Sequence, residues 1–414
     1  TLHVRFATHR MKLQASRSSS LALLLTISLV LHAAEADKVL TAVIRGTAGN
    51  PTIFGLAQIV EAMDGSITVS ANVQNLPDGL HGFHVHAYGD IVGKNDGTAT
   101  GGHYNPAGTD HAGPTDEARH VGDLGNINST NGVATYTRTF AASDAARPTV
   151  DQALANSAIG RAFVIHAGAD DLASQPTGNA GSRLAAGVIG LGNNPTDEAT
   201  SFIGSAAFET PSALVCLIHG ADGMTGSAKI VLNSDGVAEV SAKVAGFSAG
   251  LHGFHVHTYG EEYDFAATSP ARDLTRTAGH YNPSGVAHAL PPAAPRHAGD
   301  IGNLDVGADG TAEMVQTLAG VTNLKHLVGR TCLVHAGEDD GSDPAGNAGA
   351  RIAAGQLGYA NPETDVVVDT GSNEDGDGGE DDDTIEDEDS GAQRAAYGVA
   401  CVVLAFAGAI LGVM

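Results

Sequence analysis

The sequence predicts an all-β protein carrying two tandem antiparallel sandwich or barrel domains, and three observations predict it. Apolar and polar residues alternate with period two, as at Ile67, Val69, Ala71 and Val73, and again at Ala238, Val240, Ala242 and Val244. That period buries one face of a strand. The composition holds 54 Gly, 5 % aromatic residues and no Trp, which suits short strands joined by Gly-rich turns. The 414 residues exceed one typical domain, and two segments repeat one another at an offset of about 170 residues, so each copy is domain-sized.

Taken in chain order, the first element is an address label. Met11 is the expected start; Lys12 and Arg17 precede an apolar run from Leu21 to Leu31 and an Ala34-Glu35-Ala36 cleavage pattern. Residues 1–36 therefore read as upstream residues and a secretory signal peptide. The first copy occupies 37–191. A linker rich in Asn, Pro, Thr and Gly follows at 192–212, and the second copy occupies 213–360. Residues 361–390 read as an acidic disordered stalk, because 14 of the 47 acidic residues and no basic one fall between Glu363 and Ser390. At 391–414 an apolar tail from Ala395 to Met414 stands behind the small residues Ser390, Gly391 and Ala392. That order favours a GPI-anchor signal over a retained transmembrane helix. The expected location is extracellular, at the cell surface, held to a membrane by a lipid anchor or the C-terminal helix. The formal net charge of −26 argues against a nucleic-acid partner. Of three cysteines, Cys401 lies in the tail, and whether Cys216 and Cys332 pair is left open. Asn128-Ser129-Thr130 is a glycosylation sequon.

The chemistry sits on histidine. Leu80-His81-Gly82-Phe83-His84-Val85-His86 recurs as Leu251-His252-Gly253-Phe254-His255-Val256-His257. Gly102-His103-Tyr104-Asn105-Pro106 recurs as Gly279-His280-Tyr281-Asn282-Pro283, Arg119-His120-Val121-Gly122-Asp123 as Arg296-His297-Ala298-Gly299-Asp300, and Gly178-Asn179-Ala180-Gly181 as Gly346-Asn347-Ala348-Gly349. His84 and His86, two apart on a strand, share a face and can reach one metal. Separations of eight, nine and three residues link His103, His111, His120 and Asp123, and the same separations link His280, His288, His297 and Asp300. A lone histidine is more often structural than a ligand. Ligand candidates kept twice at nearly fixed spacing make that reading improbable.

With these motifs both copies resemble the copper/zinc superoxide dismutase family almost end to end. The resemblance implies a Greek-key β-sandwich or flattened barrel for each. It implies copper held by His84, His86, His103 and His166, and zinc held by His103, His111, His120 and Asp123, with His103 bridging. In the second copy copper falls to His255, His257, His280 and His335, and zinc to His280, His288, His297 and Asp300. Four imidazoles suit copper; three with a carboxylate suit a closed zinc site. Asp170 and Asp339 match a carboxylate that joins the two ligand sets, and such partners orient rings. Arg183 and Arg351 match an arginine beside copper that attracts superoxide. With the bridging His103 and His280 they form the implied catalytic set. The implied reaction converts superoxide to dioxygen and hydrogen peroxide by Cu(II)/Cu(I) cycling at two sites. The sequence departs from the family in its loops, with a longer insertion before His280 and short segments from His166 to Arg183 and from His335 to Arg351, and above all in one bond: the disulfide that braces the loop before the bridging histidine is absent. Residues 87–102 and 258–279 lack cysteine, and the later position is Ala186 or Ala354. The two copies are also expected to pair within the chain, or between chains as a homodimer.

Overall fold

The computed structural model describes residues 38–92, 96–152, 154–192, 211–260 and 274–364. The expected signal peptide and C-terminal tail lie outside them, as do nearly all of the linker and residues 365–390 of the expected stalk; its first four residues, 361–364, are described, and there Asn361 is buried and bonded to the first copy instead of being a disordered spacer.

The first copy contributes nine strands: β1 (Lys38–Gly46), β2 (Phe54–Glu61), β3 (Ile67–Gln74), β4 (Gly79–His86), β5 (Asp123–Thr130), β6 (Val133–Phe140), β7 (Ala162–His166), β8 (Arg183–Val188) and β9 (Gly190–Leu191). They pair in the order β2-β3-β6-β5-β4-β7-β8-β1-β9, and β1 also pairs with β2. The path therefore closes into an antiparallel barrel, which leaves no long edge unpaired. The non-sequential steps β3–β6 and β4–β7 make it a Greek key.

The second copy repeats this as β10 (Ala213–Gly220), β11 (Thr225–Leu232), β12 (Ala238–Ala245), β13 (Gly250–His257), β14 (Asp300–Val306), β15 (Ala312–Thr317), β16 (Thr331–His335), β17 (Arg351–Gln356) and β18 (Gly358–Tyr359). Its order is β14-β13-β16-β17-β10-β11-β12-β15, with β18 on β10. The two alternating segments of the sequence are β3 and β12, and their apolar positions Ile67, Val69, Ala71, Val73, Ala238, Val240, Ala242 and Val244 are buried.

Strand parity places the chemistry. On β4, Phe83 and Val85 enter the barrel core, whereas His84 and His86 point to the opposite face. That face is also buried, because the chain between β4 and β5 folds back over it. Three backbone hydrogen bonds stitch it down: Val85 N–H to the Gly122 carbonyl (3.0 Å), Tyr104 N–H to the Val85 carbonyl (2.8 Å) and Gly122 N–H to the Tyr104 carbonyl (3.0 Å). Val256, Tyr281 and Gly299 repeat the stitch at 2.8–2.9 Å. Glycine is required there: a Cβ on Gly122 would lie 2.1 Å from the Val85 oxygen, and one on Gly299 2.2 Å from the Val256 oxygen.

The two barrels share one apolar seam. Ile159 and Leu191 of the first copy and Val328, Leu357 and Tyr359 of the second belong to a single buried cluster. Backbone bonds cross it: Leu191 N–H to the Gly329 carbonyl (2.8 Å), Gly260 N–H to the Leu191 carbonyl (2.7 Å) and Tyr359 N–H to the Gly160 carbonyl (2.7 Å).

Candidate metal centres

The structure brings each expected ligand set together. His84, His86, His103 and His166 are buried and converge, as do His103, His111, His120 and Asp123; His103 belongs to both groups. His255, His257, His280 and His335, and His280, His288, His297 and Asp300, do the same in the second copy, with His280 shared.

Ring orientation follows from what holds the other nitrogen. His84 gives Nε2 to Asp170 Oδ2 at 2.9 Å, so its Nδ1 faces the site. His86 gives Nδ1 to the Gly101 carbonyl at 2.6 Å, with Thr100 Oγ1 3.1 Å away, and His166 gives Nδ1 to the Gly181 carbonyl at 2.9 Å. Their Nε2 atoms meet at 3.2 Å; His257 and His335 meet likewise at 3.4 Å. On the other side, His103, His111 and His120 present Nδ1 to Asp123 Oδ1 at 2.8, 2.8 and 3.2 Å. In the second copy Asp300 Oδ1 receives His280, His288 and His297 at 2.8, 3.0 and 3.1 Å. Each carboxylate is aimed by backbone: Asp123 Oδ2 accepts from the N–H groups of His120 and Ala112.

Asp170 joins the groups, since its Oδ1 reaches His111 Nε2 at 3.0 Å while Oδ2 holds His84. Asp339 does so for His288 and His255 at 2.9 and 2.8 Å. Both sit in glycine cradles. A Cβ on Gly178, or on Gly346, would fall 1.9 Å from the carboxylate Oδ1. Asn126 and Asn303 clamp the backbone of these aspartates at both N–H and C=O. Asn126 and Asn303 were not singled out from sequence, although each ends a repeated Gly-Asn pair just after the zinc-side aspartate. Thr100 and Thr277 were missed as well, although a repeated Thr-x-Thr-x-Gly-His, residues 98–103 and 275–280, carries both.

Burial divides the electrostatics. It pushes the His84 pKa down to about 3, against the pull of Asp170, and holds His86 well below its usual value. His166 falls to about 4 for the same reason; His255 and His335 follow at about 3 and 4. These rings are neutral at pH 7, as ligands must be. Burial opposes protonation of His111 too, but its bonds to Asp123 and Asp170 outweigh it and raise the pKa to about 9. His288 is raised by Asp339 and Asp300, again against burial.

Arg183 and Arg351 lie beside the all-histidine groups, half-buried and fixed by carbonyls. Arg183 donates to Gly97 (3.0 Å) and Gly101 (2.6 Å), and Arg351 to Leu274 (2.6 Å) and Ala278 (2.7 Å). His81 and His252, in contrast, lie on the core face of their strands. His81 ring nitrogens sit 2.8 Å from the carbonyls of His166 and Pro77, which makes it a strand tie. Cys216 and Cys332 are buried and free, and they are the only cysteines among the described residues.

The donor atoms test the fit to copper and zinc. His84 Nδ1, His103 Nε2, His255 Nδ1 and His280 Nε2 are buried with no hydrogen-bond partner. Such orphans are rare unless a ligand or ion takes them. An all-nitrogen group suits copper, and three nitrogens with one carboxylate suit tetrahedral zinc.

Comparison with known proteins agrees. The family model described as copper/zinc superoxide dismutase matches residues 53–189 and again 224–357. The extracellular superoxide dismutase [Cu-Zn] of Onchocerca volvulus is 45 % identical over 164 residues, 36 % of this chain and 74 % of that protein. The crystal structure of the clock protein EA4 is 35 % identical, covering 38 % of this chain and 96 % of that one, with a TM-score of 0.33. The chain belongs to the copper/zinc superoxide dismutase family: it is an oxidoreductase that acts on superoxide and uses copper and zinc as cofactors.

Proposed function

We propose that this is a double-headed dismutase acting outside the cell, with both copies catalytic. The observation that carries the reading is the duplication of the main site contacts, from the four converging imidazoles to the bridging aspartate and the carbonyl-held arginine. In this reading His84, His86, His103 and His166 hold one copper, and His255, His257, His280 and His335 the other. Zinc is held by His103, His111, His120 and Asp123, and by His280, His288, His297 and Asp300. Bound copper supplies reversible one-electron transfer, and zinc a fixed positive charge. Two superoxide ions and two protons become dioxygen and hydrogen peroxide.

The protein groups have separate tasks. The Arg183 and Arg351 guanidinium groups draw superoxide in and orient it; local positive charge decides this, despite the net charge of −26. Asp170 and Asp339 keep ligand rings in register. His103 Nε2 and His280 Nε2, buried and otherwise unpartnered, hold the proton passed to the reduced oxygen species. Extracellular work is supported by the expected leader and tail and by the extracellular relative.

The test is superoxide decay by stopped flow on the metallated chain, with copper and zinc counted. Two coppers per chain, with turnover lowered by Arg183→Ala and by Arg351→Ala separately, is the expected result. Full metal occupancy without turnover leaves only a metal-binding surface module. Release from intact cells by a phosphatidylinositol-specific phospholipase tests the lipid anchor.

A further inference from the structure

The first copy's copper-side loop, residues 87–102, holds no cysteine, and a segment of the second copy is bonded to it. Asp90, just after β4, is fully buried. A buried carboxylate needs donors. The Val92 N–H supplies one to Oδ1 at 3.2 Å. To Oδ2 come the Asn361 N–H at 3.2 Å and the Thr364 hydroxyl at 3.1 Å, both from the chain just beyond β18. Asn361, itself buried, also donates Nδ2 to the Ala99 carbonyl at 3.0 Å.

Ala99 is the middle residue of a single 3-10 turn, Thr98–Thr100. This turn and its flanks hold the copper-side groups. Gly97 and Gly101 carbonyls fix Arg183, and Thr100 Oγ1 and the Gly101 carbonyl fix the His86 ring. The second copy has its equivalent turn at Leu274–Thr277. Leu274 packs on Leu333 and Ala354 of its own barrel. The first copy has Gly97 at that position, since both carbonyls receive the first Nη of the site arginine. Glycine has no side chain to anchor.

We infer that Asn361 and Thr364 of the second copy are positioning residues for Arg183 and His86 of the first, so that the first site depends on the second domain for its shape. The inference rests on the dismutase reading for its consequence, but not for its geometry. It predicts that the two sites respond unequally to changes in this segment. The first is loosened by changes just after β18, and the second is indifferent to them.

The experiment compares the metallated full-length chain with Asn361→Ala/Thr364→Val and with the conservative Thr364→Ser. Amide hydrogen exchange should rise by about tenfold in residues 96–104 and stay unchanged in 274–281. The Cu(II) paramagnetic resonance spectrum should split, with one copper per chain shifted and the other unmoved. Superoxide turnover per chain should fall toward about half, because one of two sites is affected, and Thr364→Ser should restore all three readouts. Equal loosening of both segments, both coppers shifting, or no change in either would overturn the inference. A wild-type chain that binds copper without turnover would sink the dismutase reading alone, because exchange and spectrum still report the brace.

Discussion

Asp170 holds two imidazoles from different ligand groups, one on each oxygen, and is 86 residues from the first of them in sequence. It must accept on both sides, so an amide in its place turns one acceptor into a donor that faces a ring N–H. Asp170→Asn is expected to weaken metal retention in the first copy by about 10–100-fold, as loss of ligand-orienting partners does elsewhere. Chelator competition followed by metal analysis checks this; the Asp339 site should keep its metals. Arg183 poses a different residue-scale question, because its two Nη groups reach two carbonyls at once. Lysine keeps the charge but has no fork to span them. Arg183→Ala should lower the first site's contribution to superoxide association by about tenfold or more and flatten its salt dependence, since local charge sets that rate. Arg183→Lys should fall between the two. The converging residues themselves were legible because the sequence repeats them at nearly fixed spacing. The nitrogen that each ring presents was not, because distant partners decide the tautomer.

At the scale of elements, β4 and β13 sort their histidines by parity. His84 and His86 fall on the outer face, and His81 on the core face with Phe83 and Val85. Alternation alone therefore separates ligand from strand tie. The returning loop is another matter. It is held by the three-way stitch of Val85, Tyr104 and Gly122, and no local pattern announces which residues meet. Gly122→Ala drives a Cβ to 2.1 Å from the Val85 oxygen, so the loop must lift off β4. We expect destabilisation of about 3 kcal/mol, within the range for disrupted packing at a constrained site, together with loss of zinc. Denaturant unfolding and metal analysis of the same sample measure both; unchanged zinc content would show that the stitch does not shape the site.

For the whole molecule the decisive feature is the seam. Val328 is buried there, and a Cβ on Gly160 of the other barrel would come within 2.3 Å of its Cγ1. Val328→Asp places an unpaired charge in that seam, which costs about 3–5 kcal/mol when nothing compensates it. Calorimetry should then show two transitions where the parent shows one, while metal content stays near the parent value because no ligand lies in the seam. A single transition in the variant would mean that the barrels do not depend on this contact. Light scattering of the parent settles whether chains associate further.

The sequence by itself determined the all-β class, the duplication and both sets of converging histidines and aspartates, because strand period and residue spacing are local patterns that a chain writes twice when its domain is copied. Only the tertiary structure decided how the Asp170 and Asp339 oxygens divide between rings, which nitrogens remain for metal, and how the barrels share a core. It also decided that Asn361 reaches a turn 262 residues away in sequence. Such contacts depend on where two folded surfaces meet, and no periodicity along the chain encodes that.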